Sequence, residues 1–210
     1  MSAIKSQAPA GTADLPEFTD PPGDPIDLFR RWLDEARRQE VREPGALALG
    51  TADSGGRASV RIVMLLNVTA DGLVFSSHAG SHKGREIAET SWASALLYWR
   101  ETRQQVSLSG HIEQLSDAES DTLWASRPPV TYPMSVASEQ SARLDDEGAL
   151  RAEAERLAES GDELARPDLW CGYHLVPSIV EFWQESPDRL HRRLRYDRTG
   201  SGWTAERLQP

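Results

Sequence analysis

The chain holds a single cysteine, Cys171, in 210 residues. It has no internal disulfide partner, which together with the lack of an export signal points to a cytoplasmic protein. Long apolar runs are missing too. Stretches such as Ile62 to Leu66 fall far short of the ~20 residues that cross a bilayer, so no membrane association is expected. The N-terminus lacks the basic start and apolar stretch of a signal peptide. Basic residues are in deficit, with 23 Lys and Arg against 33 Asp and Glu and a net charge of −10. Nucleic acid is therefore not the expected main partner. No Gly-x-Gly-x-x-Gly, P-loop or Gly-x-Ser-x-Gly motif occurs, which removes the common dinucleotide, nucleoside triphosphate and hydrolase signatures. His78 and His82 are four apart, but Gly80 between them argues against a helical metal pair, and the one cysteine is distant. No metal site is expected.

What is present reads as one domain over residues 24–210, preceded by a flexible arm over 1–23 that could order on a partner subunit. Asp24 to Glu40 is a helix with Pro25 in its first turn and Phe29, Trp32, Leu33 and Ala36 on one face. Leu47 and Leu49 alternate in a strand, and Ser54-Gly55-Gly56 turns into a strand over Val60 to Val68 whose apolar run suggests burial on both faces. Leu73 to Ser77 follows the Asp71-Gly72 turn. A short helix opens at Gly80 to Gly84. Trp92 to Trp99 and Gln105 to Glu113 are strands. Ser116 with Glu119 forms a capping box for a helix to Ala125, stopped by Pro128-Pro129. Residues 130–143 are polar with little period. Asp145 to Ser160 is a helix with Leu150, Ala154, Leu157 and Ala158 on its apolar side. Tyr173 to Val176, Ile179 to Trp183, Leu190 to Tyr196 and Trp203 to Leu208 complete a strand-rich C-terminus, with a last turn at Thr199 to Gly202. Short connections favour antiparallel pairing, so the fold class is mainly β, a small barrel with peripheral helices.

Four groups of residues could carry chemistry. Arg189, His191, Arg193 and Arg195 stand at every second position, and in a strand they would share one cationic face, which needs an anion against it. With Trp183 upstream, this face could clamp a planar anionic ligand, or it could be a solvated edge strand. Arg61 sits inside an apolar strand. It needs an anion or a dense set of acceptors, unless it reaches to water from the strand end. Ser81-His82-Lys83-Gly84 before a helix could hold a phosphate, or serve only as a cap with a solvated lysine. Ser138 to Ser141 offers short hydroxyl and amide groups that bind phosphate or polyol, or make ordinary turns.

Taken together, Arg61-Ile62-Val63, Ser81-His82-Lys83-Gly84, Tyr98-Trp99, Gln104-Gln105-Val106, Ser126-Arg127-Pro128, Gln140-Ser141, Glu181-Phe182-Trp183, Arg189-Leu190-His191 with Arg193, and the terminal Arg207-Leu208-Gln209-Pro210 resemble the pyridoxamine 5′-phosphate oxidase family of flavoproteins, in order and spacing, over roughly residues 24–210. The resemblance implies a split β-barrel homodimer with FMN at the subunit interface. It implies FMN contacts from Arg61, Ile62, Val63, Met64, Ser76, Ser77, His82, Lys83, Gln105, Gln140, Ser141, Trp183 and Arg193. It places Leu66, Leu123, Arg127, Thr131, Arg189 and His191 around the substrate, with Arg189 and His191 as the catalytic pair and His191 as a proton carrier.

Departures from the vitamin enzyme narrow the substrate. Where that enzyme holds its substrate's phosphate with a lysine and a tyrosine, this chain has Leu66 and Leu123. Charge-assisted hydrogen bonds contribute roughly 1.5–3 kcal/mol each, so losing two costs roughly two to four orders of magnitude in affinity. His82 stands in place of an arginine near the FMN phosphate. Tyr98-Trp99-Arg100-Glu101, Pro133 to Ser138 and Arg193 to Arg198 look like the branch of the family that acts in phenazine biosynthesis. That branch implies an FMN-dependent oxidase that aromatises partly reduced tricyclic carboxylic acids with O2 as the acceptor. A pyridoxine or pyridoxamine 5′-phosphate oxidase and a non-catalytic flavin-binding protein remain as alternatives.

Overall fold

The computed structural model describes residues 15–200 and 202–210. Helix α1 (Pro25–Arg38) begins where its cap dictates. The Asp24 carboxylate accepts a hydrogen bond from the Ile26 amide at 2.7 Å, and Pro25 occupies the first turn. Phe29, Trp32, Leu33 and Ala36 are buried as its period requires. Residues 1–14 of the expected arm lie outside the described residues. Leu15–Gly23 do not behave as an arm. Phe18 is buried in the core, Glu17 accepts from the Trp32 indole at 2.5 Å, and the Tyr196 hydroxyl donates to the Pro22 carbonyl at 3.0 Å. One aromatic anchor outweighs a polar composition.

The strands are β1 (Ala46–Ala52), β2 (Ala58–Val68), β3 (Leu73–His78), β4 (Trp92–Trp99), β5 (Gln104–Gln114), β6 (Trp170–Gln184), β7 (Arg192–Thr199) and β8 (Gly202–Leu208). Every pairing is antiparallel, in the order β3-β2-β1-β4-β5-β6-β7-β8, and β3 also pairs with β6. That pairing closes six strands into a barrel, and β7–β8 extends from it as a hairpin. The barrel is packed with Leu47, Leu49, Phe75, Leu97, Val106, Leu108 and Phe182, and α1 joins this core through Trp32, whose ring meets Phe182 edge-on at 5.1 Å. The last turn contains Ser201, which is outside the described residues.

Three expectations change. The segments around Tyr173 and Ile179 are one strand, β6, rather than two. Pro177 lies where β6 changes partner, from β3 over Trp170–Leu175 to β7 over Ile179–Gln184, so its missing N–H interrupts no essential ladder. Opposite it the β5 register shifts by a bulge at Ser109/Gly110, where a Cβ on Gly110 would lie 2.1 Å from the Val176 carbonyl oxygen. Second, β2 is not buried on both faces. Val60, Ile62, Met64 and Leu66 form an outward row that is 72%, 63%, 51% and 44% exposed. Third, the polar stretch after Pro129 holds a short helix, α4 (Tyr132–Ala137), too brief for a periodic signal.

The remaining helices are α2 (His82–Thr90), α3 (Asp117–Ala125) and α5 (Glu147–Glu159). Ser116 and Glu119 form the expected capping box on α3. Of the expected apolar side of α5, only Ala154 is buried. No helix among the described residues is long and apolar enough to cross a membrane.

Candidate active site

A cleft of about 360 Å³ opens between β2, β3 and the start of α2. It is lined by Arg61, Ile62, Val63, Met64, Ser76, Ser77, Lys83 and Gln140. Eight residues named from the sequence thus surround one cavity. The local reasons are simple. Ser81 caps α2 by accepting from the Gly84 amide at 3.2 Å, which starts the helix at the cleft. The loop after α4 is tied down beside it. Ser141, with φ 68°, accepts at Oγ from the His82 amide at 3.0 Å. The Lys83 ammonium donates to Ser81 Oγ and to Gln140 Oε1, both at 3.2 Å. Among the described residues Lys83 makes no ion pair. Burial, and then nearby Arg61, holds its amine below the usual lysine range. Two cations, a helix N-terminus and short hydroxyls facing one cavity suit an anion.

Arg61 has the dense set of acceptors that a buried guanidinium requires. Its Nη1 donates to the Leu49 carbonyl at 3.1 Å and to Thr51 Oγ1 at 2.5 Å. Its Nη2 donates to Ser59 Oγ and to Glu86 Oε2, the latter at 3.2 Å. Glu86 is the residue that sequence reasoning missed. It comes from α2 and also accepts from Thr51, Ser59 and the His82 ring. Burial pushes its carboxyl upward, but hydrogen bonds from Ser59, Thr51, His82 and Arg61 outweigh that and bring it down to about 2. The available signal was its position four residues after His82 on a helix, where side chains meet. His82 itself turns toward Glu86 rather than into the cleft.

A second group lies on β5, β6 and β7. Gln105 pairs with Trp183, and Trp183 with Arg193. The expected four-residue cationic face is not formed. Strand β7 starts at Arg192, so Arg189, with φ 70°, and His191 belong to the preceding loop. Arg193 binds Glu181 through two hydrogen bonds of 2.7 and 3.0 Å, and Arg195 binds Asp197 at 2.8 and 2.7 Å. Carboxylates within the chain supply the anions that this face needs. The His191 ring lies 4.9 Å from the Trp183 ring, and its Nδ1 accepts from the Ser186 amide at 3.1 Å. The proton of the neutral ring therefore sits on Nε2. Among the described residues the Arg189 side chain makes no hydrogen bond or ion pair, which leaves its five N–H groups available.

Arg127 is held in an aromatic cage, 4.7 Å from the Trp124 ring centroid, 5.1 Å from Trp170 and 5.8 Å from Tyr132. Its Nη2 donates to Ser135 Oγ at 2.8 Å, while Nη1 is buried without a hydrogen-bond partner among the described residues. Burial holds its guanidinium below the usual arginine range. Thr131 spends its hydroxyl on the Pro128 carbonyl at 2.8 Å. Leu123 packs over Gly172 on β6, the pairing partner of Ser76. Leu66 stands one alternation beyond Met64 and lines a separate cleft of about 200 Å³ with Arg30 and Arg37.

Positions 172 and 183 on β6 pair with Ser76 and Gln105, respectively. Eleven residues of strand separate them, roughly 36 Å of contour at ~3.3 Å per residue. Within one chain, then, the cleft and the Trp183 group occupy opposite ends of the longest strand.

Known proteins carry the same arrangement of elements. Residues 33–161 match the family model described as pyridoxamine 5′-phosphate oxidase, and residues 170–210 match the pyridoxine 5′-phosphate oxidase C-terminal dimerisation region. A dihydrophenazinedicarboxylate synthase from Pseudomonas chlororaphis is 49% identical over 207 residues, which are 98% of this chain and 93% of that protein. A pyridoxine/pyridoxamine 5′-phosphate oxidase from Ralstonia pickettii is 42% identical over 196 residues, 92% of each chain. The crystal structure of PhzG from Burkholderia lata 383, in complex with tetrahydrophenazine-1-carboxylic acid, superimposes with a TM-score of 0.92 at 50% identity, covering 95% of this chain and all of that one. With its closed six-stranded barrel, its C-terminal hairpin and half of its residues shared with such relatives, the chain belongs to the pyridoxamine 5′-phosphate oxidase family.

Proposed function

We propose that this chain is an FMN-dependent oxidase of phenazine biosynthesis. Acting as a homodimer, it would aromatise partly reduced phenazine carboxylic acids with O2 as the electron acceptor. The observation that carries this reading is the cleft in which Arg61, Lys83, Ser76, Ser77 and Gln140 converge, in a chain half-identical along its length to a protein crystallised with tetrahydrophenazine-1-carboxylic acid. The residues fit FMN. The Lys83 ammonium has only neutral acceptors and faces the cavity beside Arg61, as a phosphate site requires. FMN bound there supplies two-electron redox chemistry.

The chain's own groups do the rest. Lys83, Arg61, Ser76, Ser77, Gln140 and Ser141 hold the cofactor phosphate and the polyol. Gln105 and Arg193 flank Trp183 at the other end of β6, which favours their serving the flavin of a second copy. The exposed row Val60, Ile62, Met64 and Leu66 on β2 gives a second copy an apolar seat, and that copy's Trp183 group completes the site. Match of residues 170–210 to a dimerisation region supports this. Arg189 and the unpartnered Arg127 Nη1 suit a carboxylate. His191, with its tautomer set by Ser186, offers Nε2–H to the substrate. Leu66 and Leu123 offer neither charge nor hydrogen bond to a substrate phosphate, which favours a flat carboxylic acid over pyridoxine 5′-phosphate. Aromatisation releases two electrons and two protons, which O2 takes up as hydrogen peroxide.

The test is anaerobic mixing of FMN-loaded protein with tetrahydrophenazine-1-carboxylic acid. Expected is rapid bleaching of the yellow flavin, then its return with peroxide on admitting air. Faster turnover of pyridoxine 5′-phosphate would overturn the substrate, and no bleaching by any reduced tricycle would indicate a flavin carrier.

A further inference from the structure

Arg61, one of the two cations of the cleft, is largely committed to partners within the chain. A guanidinium has five N–H donors. Four of those on Arg61 are already spent on Leu49, Thr51, Ser59 and Glu86. The carboxylate among these acceptors, Glu86, is 5% exposed and does not line the cavity. Its acceptor capacity is filled by two hydroxyls, the His82 ring and Arg61, so it is locked in place. Among the described residues only Nε–H of Arg61 remains uncommitted, and Lys83, the other cation of the cleft, has no carboxylate of its own.

We infer that Glu86 competes with the flavin phosphate for Arg61 and thereby sets how strongly the cleft prefers FMN to unphosphorylated riboflavin. This rests on the flavin site proposed above. The buried carboxylate neutralises Arg61 before any ligand arrives, which keeps two adjacent cations folded together in an empty cleft. It thereby weakens the attraction that Arg61 offers a phosphate, and Coulomb energies in a partly buried site are large. Glu86 is a positioning residue, acting through Arg61 rather than by touching the ligand. The preference for FMN is tuned by a side chain that no survey of the cavity wall would include.

The test compares FMN and riboflavin affinities by fluorescence quenching in the wild-type dimer and in Glu86→Gln. Glutamine keeps the shape and can still bond Thr51, Ser59 and Arg61, but it carries no charge. Expected is a roughly tenfold rise in the FMN-to-riboflavin preference, with riboflavin affinity itself unchanged. A merely structural role predicts no such rise, because damage to the pocket weakens both ligands. A second variant guards against misfolding. Arg61→Gln/Glu86→Gln removes both charges together, which buried pairs tolerate. Because Glu86 acts through Arg61, the tenfold rise should be absent from this double variant. A clear wild-type preference that Glu86→Gln leaves unchanged or lowers overturns the inference alone, as does a tenfold rise that persists in the double variant. Equal binding of FMN and riboflavin by wild type and Glu86→Gln alike overturns the phosphate site together with it.

Discussion

At the scale of single residues, the two cations of the cleft differ in what their loss costs. Lys83 makes no ion pair among the described residues, so Lys83→Ala should weaken FMN binding by tenfold or more while leaving the melting temperature near that of the wild type. Arg61→Ala strands the Glu86 carboxylate, and removing one partner of a buried pair costs roughly 3–5 kcal/mol. Differential scanning fluorimetry with FMN titration separates the two outcomes. Glu86 also has an acid signature. Its folded-state value of about 2 lies below the ordinary 4.5. Its stabilisation is therefore complete above about pH 4.5 and is lost as pH falls toward 2, by up to about 3 kcal/mol. Urea midpoints between those pH values should drop steeply for wild type and more gently for Glu86→Gln. None of this was readable from Arg61 alone. The sequence admits an anion, a set of acceptors or solvent for that arginine, and the choice depends on Thr51 and Glu86 arriving from two other segments to join Ser59, two residues away on the same strand.

At the scale of elements, the end of the cleft assigned above to the FMN phosphate depends on where α2 starts. A Cβ on Gly84 would lie 2.3 Å from the Ala79 carbonyl oxygen and 2.6 Å from that of His78. Gly84→Ala must therefore push the first turn of α2 outward, carrying Lys83 away from Gln140. We expect a loss of roughly 1–3 kcal/mol, the usual cost of overpacking, and loss of FMN binding, both checked by thermal melts with and without the cofactor. Elements with local signals were legible in the sequence. The Asp24 cap with Pro25, the Ser116–Glu119 capping box and the alternation of Leu47 and Leu49 are interactions between residues a few positions apart. Less legible were α4, which is shorter than two helical turns, and β7, whose expected start at Leu190 came from alternating charge. The loop instead folds back through Ser186 and His191, so alternation over four residues did not define a strand.

At the scale of the whole molecule, the outward row on β2 is the feature that demands company. Four apolar side chains at alternate positions are a stripe that soluble proteins seldom leave bare. Val60→Glu, at a position of the row that does not line the cleft, should give monomers by light scattering. FMN binding should disappear with the dimer, because the cleft and the Trp183 group sit at opposite ends of β6. Stability of the single chain should change little, since Val60 is 72% exposed within it. A monomeric Val60→Glu variant that still binds FMN would place the second half of the site elsewhere.

By itself the sequence determined the helix caps, the antiparallel hairpins, the mainly β class and the family, because these follow from local backbone preferences and from a distinctive ordered set of motifs. Only the tertiary structure decided that Arg61 is neutralised by Glu86, that Arg193 and Arg195 are paired along the hairpin, and that β2 presents a bare apolar row. Charge partners and burial are set by which segments the closed barrel brings within a few ångströms, and electrostatic and hydrophobic energies depend on that spacing rather than on order along the chain.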